Sequence, residues 1–138
     1  MRKGLVEQRR SRRPARMRKK RSMLMDNTEL LRQLYERFNA RDMESLLKMM
    51  QLDVMWANGM EGGHVYGHDG VRSYWTRQWA MIDPHVEPIA FSTNANGTVA
   101  VEVHQTVRDL KGSVLSDKTV QHLFHLENGL IKRFDIQN

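Results

Sequence analysis

The first half of the chain has the hydrophobic periodicity of three α-helices. Apolar residues recur at three- and four-residue spacing after Asn27 or Thr28, either of which can cap a helix N-terminus. A second, shorter helix is predicted to begin after Asp42. A third begins near Asp69, whose carboxylate suits the positive end of a helix, and ends before Pro84. The apolar faces of these helices comprise Leu30, Leu31, Leu34, Tyr35, Phe38, Met43, Leu46, Leu47, Met50, Val71, Tyr74, Trp75, Trp79 and Ile82.

The other segments alternate between apolar and polar residues, which is the pattern of half-buried β-strands. The predicted strands are residues 53–58, 64–66, 85–95, 98–109, 114–126 and 130–137. Asn96-Gly97, residues 111–113 and residues 127–129 supply tight turns between the last four strands. Helix-helix-strand-helix followed by a four-stranded meander is an α+β pattern.

Alternation within two long strands predicts which side chains face the interior. The first of these strands places Val99, Val101, Val103, Gln105 and Val107 on one face. The second places Val120, His122, Phe124 and Leu126 on one face. Because the alternate residues of the second strand are more polar, the face that carries His122 is expected to be the buried, concave face of the sheet.

Charge divides the chain into two parts. The net charge is +6, but residues 1–23 hold 11 of the 22 Lys and Arg residues and one acid, so the remainder is mildly acidic. We expect residues 1–25 to be a disordered basic tail and residues 26–138 to be one domain. One alternative is that the tail does nothing, or is never translated because a later Met is the true start. The other is that it makes weak, nonspecific contact with nucleic acid, through residues 2–21, or with anionic lipid.

Several classes of protein are excluded by composition. The chain has no cysteine, which excludes disulfides and thiolate metal sites and is typical of a cytoplasmic protein. No apolar run approaches the length of a membrane span or a secretion signal, so no membrane partner is expected. His64 and His68 are separated by the helix-breaking Gly67, and no phosphate-binding loop is present. We therefore expect neither a metal nor a cofactor.

Four stretches stand out by their order and spacing. They are residues 34–42 (LYERFNARD), 53–56 (DVMW), 67–75 (GHDGVRSYW) and 122–131 (HLFHLENGLI). Together they resemble the SnoaL-like branch of the nuclear transport factor 2-like superfamily. The resemblance implies a conical α+β barrel, in which three N-terminal helices pack on a strongly curved antiparallel sheet around one mostly apolar pocket. The family includes ketosteroid isomerase, epoxide hydrolases and polyketide cyclases as well as non-enzymatic binders, so the fold does not fix the function.

His122 is the main candidate for chemistry. Its position resembles that of the protonated, hydrogen-bond-donating aspartate of ketosteroid isomerase, where an imidazole could stabilise an oxyanion or act as acid or base. The alternative is a core histidine with a neighbouring partner. Asn58 resembles the general-base position of that enzyme, but an amide cannot abstract a proton. The tyrosine of the isomerase falls near Leu34 or Tyr35, and the register favours Leu34.

Other side chains are predicted to line the pocket. Those expected to form an apolar wall, although aromatics at such spacing are also typical of a core, are Trp56, Tyr74, Trp75 and Phe124. Gln105 is either a pocket-facing hydrogen-bonding group or a satisfied core amide, and it is the nearest predicted partner of His122. Burial should lower the pKa of His122 and keep it neutral at about pH 7. The carboxylates of Asp109 and Asp135 could each reach the rim of the pocket, but both are expected to be solvated.

Two functions from different classes follow. The first is a cofactor-free acid/base enzyme of the isomerase, cyclase, hydratase or hydrolase type, acting on a small, mostly apolar molecule. His122 would be central to it, with Asn58 and Gln105 orienting the substrate. The second is a non-catalytic ligand-binding or dimerisation module, which the missing carboxylate base favours.

A homodimer is expected to form through the outer face of the curved sheet. The family resemblance suggests it, and the strands carry apolar side chains on both faces. Leu123 lies opposite Phe124, and Ile131 lies opposite Phe134, which is more than a sheet with one buried face needs.

Overall fold

The computed structural model describes residues 27–137, so the predicted basic tail lies outside the described residues. Helix α1 spans residues 27–39, α2 spans Met43–Lys48 and α3 spans Gly67–Met81. Asp42 caps α2 as predicted, since its carboxylate accepts hydrogen bonds from the backbone N–H and the hydroxyl of Ser45. None of the helices within the described part of the chain is long and apolar enough to cross a membrane.

The strands of residues 27–137 form one six-stranded sheet in the order β2-β1-β6-β5-β4-β3. Their bounds are β1 Met50–Ala57, β2 His64–Tyr66, β3 Asp83–Thr93, β4 Thr98–Arg108, β5 Val114–Glu127 and β6 Leu130–Gln137. The four-stranded meander is confirmed, and with it the α+β class. The predicted antiparallel sheet is confirmed in four of the five strand pairings, and the remaining pairing, of β1 with β6, is parallel. Met50, predicted on the α2 face, begins β1 instead.

Irregularities in four strand pairings accompany the bending of the sheet. Register shifts occur in the β1–β6 pair between Met50 and Met55, in the β3–β4 pair between Pro88 and Ala90, in the β4–β5 pair between Val107 and Arg108, and in the β5–β6 pair between His125 and Leu126. The β4–β5 hairpin is longer than its neighbour, since β6 ends opposite Gln121. Residues 114–120 of β5 therefore extend past the end of β6.

The core lies between the helices and the concave face of the sheet. Val101, Val103 and Phe124 are fully buried, and Val120 and His122 are almost so, which confirms the predicted faces of β4 and β5. The pattern misplaced one residue. Ile131, expected on the outer face, is fully buried in the core because β6 carries one extra residue, Lys132, at its register shift against β5, and this brings Ile131 opposite Leu126.

Two local features fix the end of α1 and the β3–β4 turn. The Asn39 side chain donates to the Val86 carbonyl and accepts from the Val86 N–H, which fastens the end of α1 to strand β3. Gly97, in the predicted β3–β4 turn, has a φ of +80°. A Cβ at Gly97 would also lie 2.7 Å from the Leu126 carbonyl oxygen, so this position requires glycine.

Candidate functional site

A cavity of about 670 Å³ lies between the helices and the concave face of the sheet. This volume is in the range of small-molecule sites. The residues predicted for the site all line it, namely Trp56, Asn58, Tyr74, Trp75, Gln105, His122 and Phe124. These side chains differ in burial and in hydrogen-bond partners, and both determine which contacts each can make with a ligand.

A buried, hydrogen-bonded pair of polar side chains, Tyr35 and His122, lines the cavity. The Tyr35 hydroxyl lies 2.8 Å from Nδ1 of His122, and the two rings are nearly parallel with centroids 5.8 Å apart. The expectation that Leu34 marks the tyrosine position is therefore wrong. Both residues line the cavity, but Tyr35 carries the hydroxyl that contacts His122. Helix α1 supplies one member of the pair and strand β5 the other.

Gln105 is not the partner of His122, contrary to the sequence expectation. In the β4–β5 register His122 lies opposite Val101, whereas Gln105 lies opposite Lys118. Gln105 is half-buried on the cavity wall, and its amide makes no hydrogen bond to any residue of the range 27–137. Of the two interpretations of this glutamine, the pocket-facing hydrogen-bonding group agrees with the structure.

The protonation of the pair follows from its burial. Burial lowers the pKa of the His122 imidazole to about 4, and it raises the pKa of the Tyr35 phenol. Both groups are therefore neutral near pH 7, as expected for His122. The buried phenol keeps its hydrogen and needs an acceptor, which Nδ1 of His122 supplies. Because Nδ1 accepts, the ring hydrogen sits on Nε2.

Nε2 of His122 is the polar atom that the pair leaves available. No group within residues 27–137 hydrogen-bonds it, and it is not among the fully buried polar atoms that lack a partner. The Tyr35–His122 pair thus presents one N–H donor at the cavity wall. Such a donor recognises an acceptor oxygen and carries no net charge.

The aromatic residues act as both wall and core. Trp56 stacks on Phe134 with ring centroids 4.1 Å apart, and its edge meets Trp75. Phe134 and His122 also pack edge-to-face, with ring centroids 4.8 Å apart. Packing of this kind fixes the rings in place, so they offer a ligand a preformed apolar surface.

Asn58 contributes mainly to its own loop. Its side-chain oxygen accepts the backbone N–H groups of Met60 and Glu61, and its Nδ2 donates to the Glu61 carboxylate. The same loop is held by Tyr74, whose hydroxyl accepts the Gly59 N–H at 3.0 Å. The predicted role of Asn58 in orienting a substrate is thereby reduced to its one remaining amide hydrogen, because its carbonyl is already occupied.

A second polar pair was not predicted. His64 on β2 and Asp135 on β6 approach to 2.8 Å, and both line the cavity. They meet across β1, where Ala57 lies opposite His64 and leaves room for the contact. The Asp135 carboxylate also accepts from Arg133 at 2.6 Å, and these two partners lower its pKa. Of the two alternatives for Asp135, the carboxylate at the pocket rim agrees with the structure, and the favoured one, a freely solvated charge, does not.

The Asp109 carboxylate, also considered from the sequence, stabilises a turn. Asp109 accepts the backbone N–H groups of Lys111 and Ser113 and so closes the β4–β5 turn. Within the described residues, no group of three or more His, Cys, Asp or Glu side chains is placed to hold a metal ion.

Comparison with known proteins identifies the domain. The sequence model of the SnoaL-like domain matches residues 31–134. The chain belongs to the SnoaL-like family. No curated protein matches it.

Solved structures of low sequence identity share the SnoaL-like fold. A protein of unknown function from Burkholderia pseudomallei, described as like nuclear transport factor 2, has a TM-score of 0.73 at 25% identity, over 81% of this chain and 89% of that one. TerC, co-crystallised with polyporic acid, has a TM-score of 0.72 at 24% identity, over 80% and 89%. A candidate polyketide cyclase from Sinorhizobium meliloti has a TM-score of 0.69 at 17% identity, over 79% of this chain and 94% of that one.

The polar groups of this SnoaL-like domain differ in what they can do. The Tyr35–His122 pair offers a neutral donor inside the core. The His64–Asp135 pair is about one quarter exposed and joins an imidazole to an ionised carboxylate, which is the usual arrangement for orienting a base. Gln105 adds an amide without a partner among residues 27–137.

Proposed function

We propose that the cavity binds a small, mostly apolar molecule and hydrogen-bonds one of its oxygens through Nε2–H of His122. The observation that carries this proposal is the Tyr35–His122 pair, in which Tyr35 occupies Nδ1 and leaves Nε2 as a donor. The aromatic wall would contact the faces of the ligand's rings. A ligand with an acceptor oxygen would supply a hydrogen-bond partner for this N–H at the cavity wall, which has none in the range 27–137.

A carbonyl ligand tests this proposal in a matched comparison. Acetylbiphenyl and ethylbiphenyl have nearly the same shape, but only the ketone can accept a hydrogen bond. Isothermal titration calorimetry should show that the protein binds the ketone about two- to tenfold more tightly. His122→Phe should remove this preference. His125→Phe, on the opposite face of the same strand, should retain it. Equal binding of the two compounds, or no binding of either, would contradict the proposal.

A cofactor-free enzyme is the second candidate function, and the His64–Asp135 pair favours it. The Nε2–H of His122 would stabilise the oxyanion of an enolate, as in isomerases, cyclases and hydratases. The Asp135 carboxylate would accept the N–H at Nε2 of His64, so that the other ring nitrogen would be free to take a proton from the substrate. This base would replace the carboxylate missing at Asn58.

The same ketone separates enzyme from binder. Exchange of the acetyl hydrogens for deuterium, followed by NMR, reports abstraction of a proton next to the carbonyl. If the domain is an enzyme of this kind, exchange should be accelerated by the protein and reduced by His64→Gln. Tight, His122-dependent binding without acceleration would assign the domain as a non-catalytic binding module.

A further inference from the structure

Lys118 is a cation that the proposed binding function does not use. It lines the cavity and lies on the concave face of β5, which it shares with Val120 and His122 by strict alternation. Val120 and His122 are buried, whereas Lys118 is exposed, so the strand runs from the interior of the cavity to its mouth. Lys118 therefore stands at the outer end of the same wall that carries the His122 donor.

The surroundings of Lys118 leave its charge uncompensated. Lys132 pairs with Glu127, whereas no carboxylate of residues 27–137 lies within ion-pair distance of Lys118. Its neighbour across the β4–β5 hairpin is Gln105, whose amide makes no hydrogen bond within the described part of the chain. An ammonium group and an amide with free N–H donors, side by side, form a site that suits an anionic oxygen.

The spacing of these groups constrains the shape of the ligand. Lys118 and His122 are four residues apart on one strand, which corresponds to about 13 Å between their Cα atoms. The wall between them is apolar, with Val120 on β5 and Val103 opposite it. A molecule that meets both ends must be elongated, and its middle must be apolar.

We propose that the ligand is an elongated aromatic anion, with an acceptor oxygen at the inner end for His122 and a carboxylate or similar group at the outer end for Lys118 and Gln105. This inference rests on the proposed function of the cavity. It adds a charge requirement that the proposed function does not contain.

Acetylbiphenyl carboxylic acid and its carboxamide test the charge requirement. Both carry the ketone, and only the acid carries the negative charge at the opposite end. Calorimetry at low salt should show that the acid-to-amide affinity ratio of the native protein falls about two- to fivefold in Lys118→Gln. Lys111→Gln removes the same charge from the turn of the hairpin, outside the cavity, and should leave the ratio unchanged. High salt should reduce the ratio of the native protein toward that of Lys118→Gln.

The outcomes separate the two proposals. If the ketone without a carboxylate binds in a His122-dependent manner but the acid-to-amide ratio is the same in native protein and Lys118→Gln, the proposed function stands and the anion site is refuted. An equal fall in Lys118→Gln and Lys111→Gln would also refute it, since the effect would then be one of overall charge. If none of the ketones binds, both proposals fail.

Discussion

Lowering the pH should destabilise the folded domain through His122. The imidazole has a pKa of about 4 in the folded protein and 6.5 as its ordinary value, because burial penalises the charged form. Between these values the unfolded chain binds a proton that the folded state does not, so stability falls as the pH falls from about 6.5 to 4. The full difference corresponds to about 3 kcal/mol and changes no further below pH 4.

Urea denaturation of native protein and His122→Phe across this pH range measures the effect. Carboxylates such as Asp135 titrate in both proteins, so their contribution cancels in the difference between the two unfolding free energies. Tyr35 loses its partner in the variant, but this cost does not vary with pH because burial raises the pKa of its phenol. The advantage of the native protein over His122→Phe should therefore shrink as the pH falls. Parallel stability curves would show that His122 is not a buried neutral imidazole.

Other variants test separate parts of the structure. Tyr35→Phe and His122→Phe should each cost about 1–3 kcal/mol, and the double variant less than their sum, because each single change leaves a buried polar partner; additive costs in urea denaturation would contradict the pair. Gly97→Ala should lower the unfolding free energy by at least about 1 kcal/mol, whereas an unchanged denaturation midpoint would contradict its left-handed turn. A chain that begins at Met25 should melt within a few degrees of the full chain by calorimetry, and only the full chain should bind DNA with steep salt dependence; a large loss of melting temperature would show that the tail contributes to folding. Light scattering at micromolar concentration should give the mass of a dimer, and a monomer mass would remove the predicted interface.

The sequence predicted the meander well because its signals are local. Asn96-Gly97 specifies a hairpin by its own backbone preferences, and alternation assigns each face within a strand. The parallel pairing of β1 with β6 has no such signal, since it joins segments far apart in the chain. The His64–Asp135 contact depends on this pairing, and it was therefore missed.

The site residues show a similar division. His122 was placed correctly because strand alternation is strict, and its neighbours Val120 and Phe124 confirmed the face. The choice between Leu34 and Tyr35 failed because consecutive helix residues differ by about 100° around the axis, and both can reach a wide cavity. The position of the Lys111–Ser113 turn alone suggested Gln105 as the neighbour of His122 on β4. In the observed register the residue opposite His122 is Val101.

The protonation of His122 limits the kind of catalysis that the cavity could support. A histidine with a pKa of about 4 is deprotonated at neutral pH, and Tyr35 occupies the nitrogen that would otherwise accept a proton. His122 can therefore donate a hydrogen bond, but it is poorly suited to act as a general base or as a proton-donating cation. Any proton abstraction must come from another group, and the His64–Asp135 pair lines the same cavity. The difference between enzyme and binder consequently depends on whether a ligand held by His122 places a carbon acid within reach of His64.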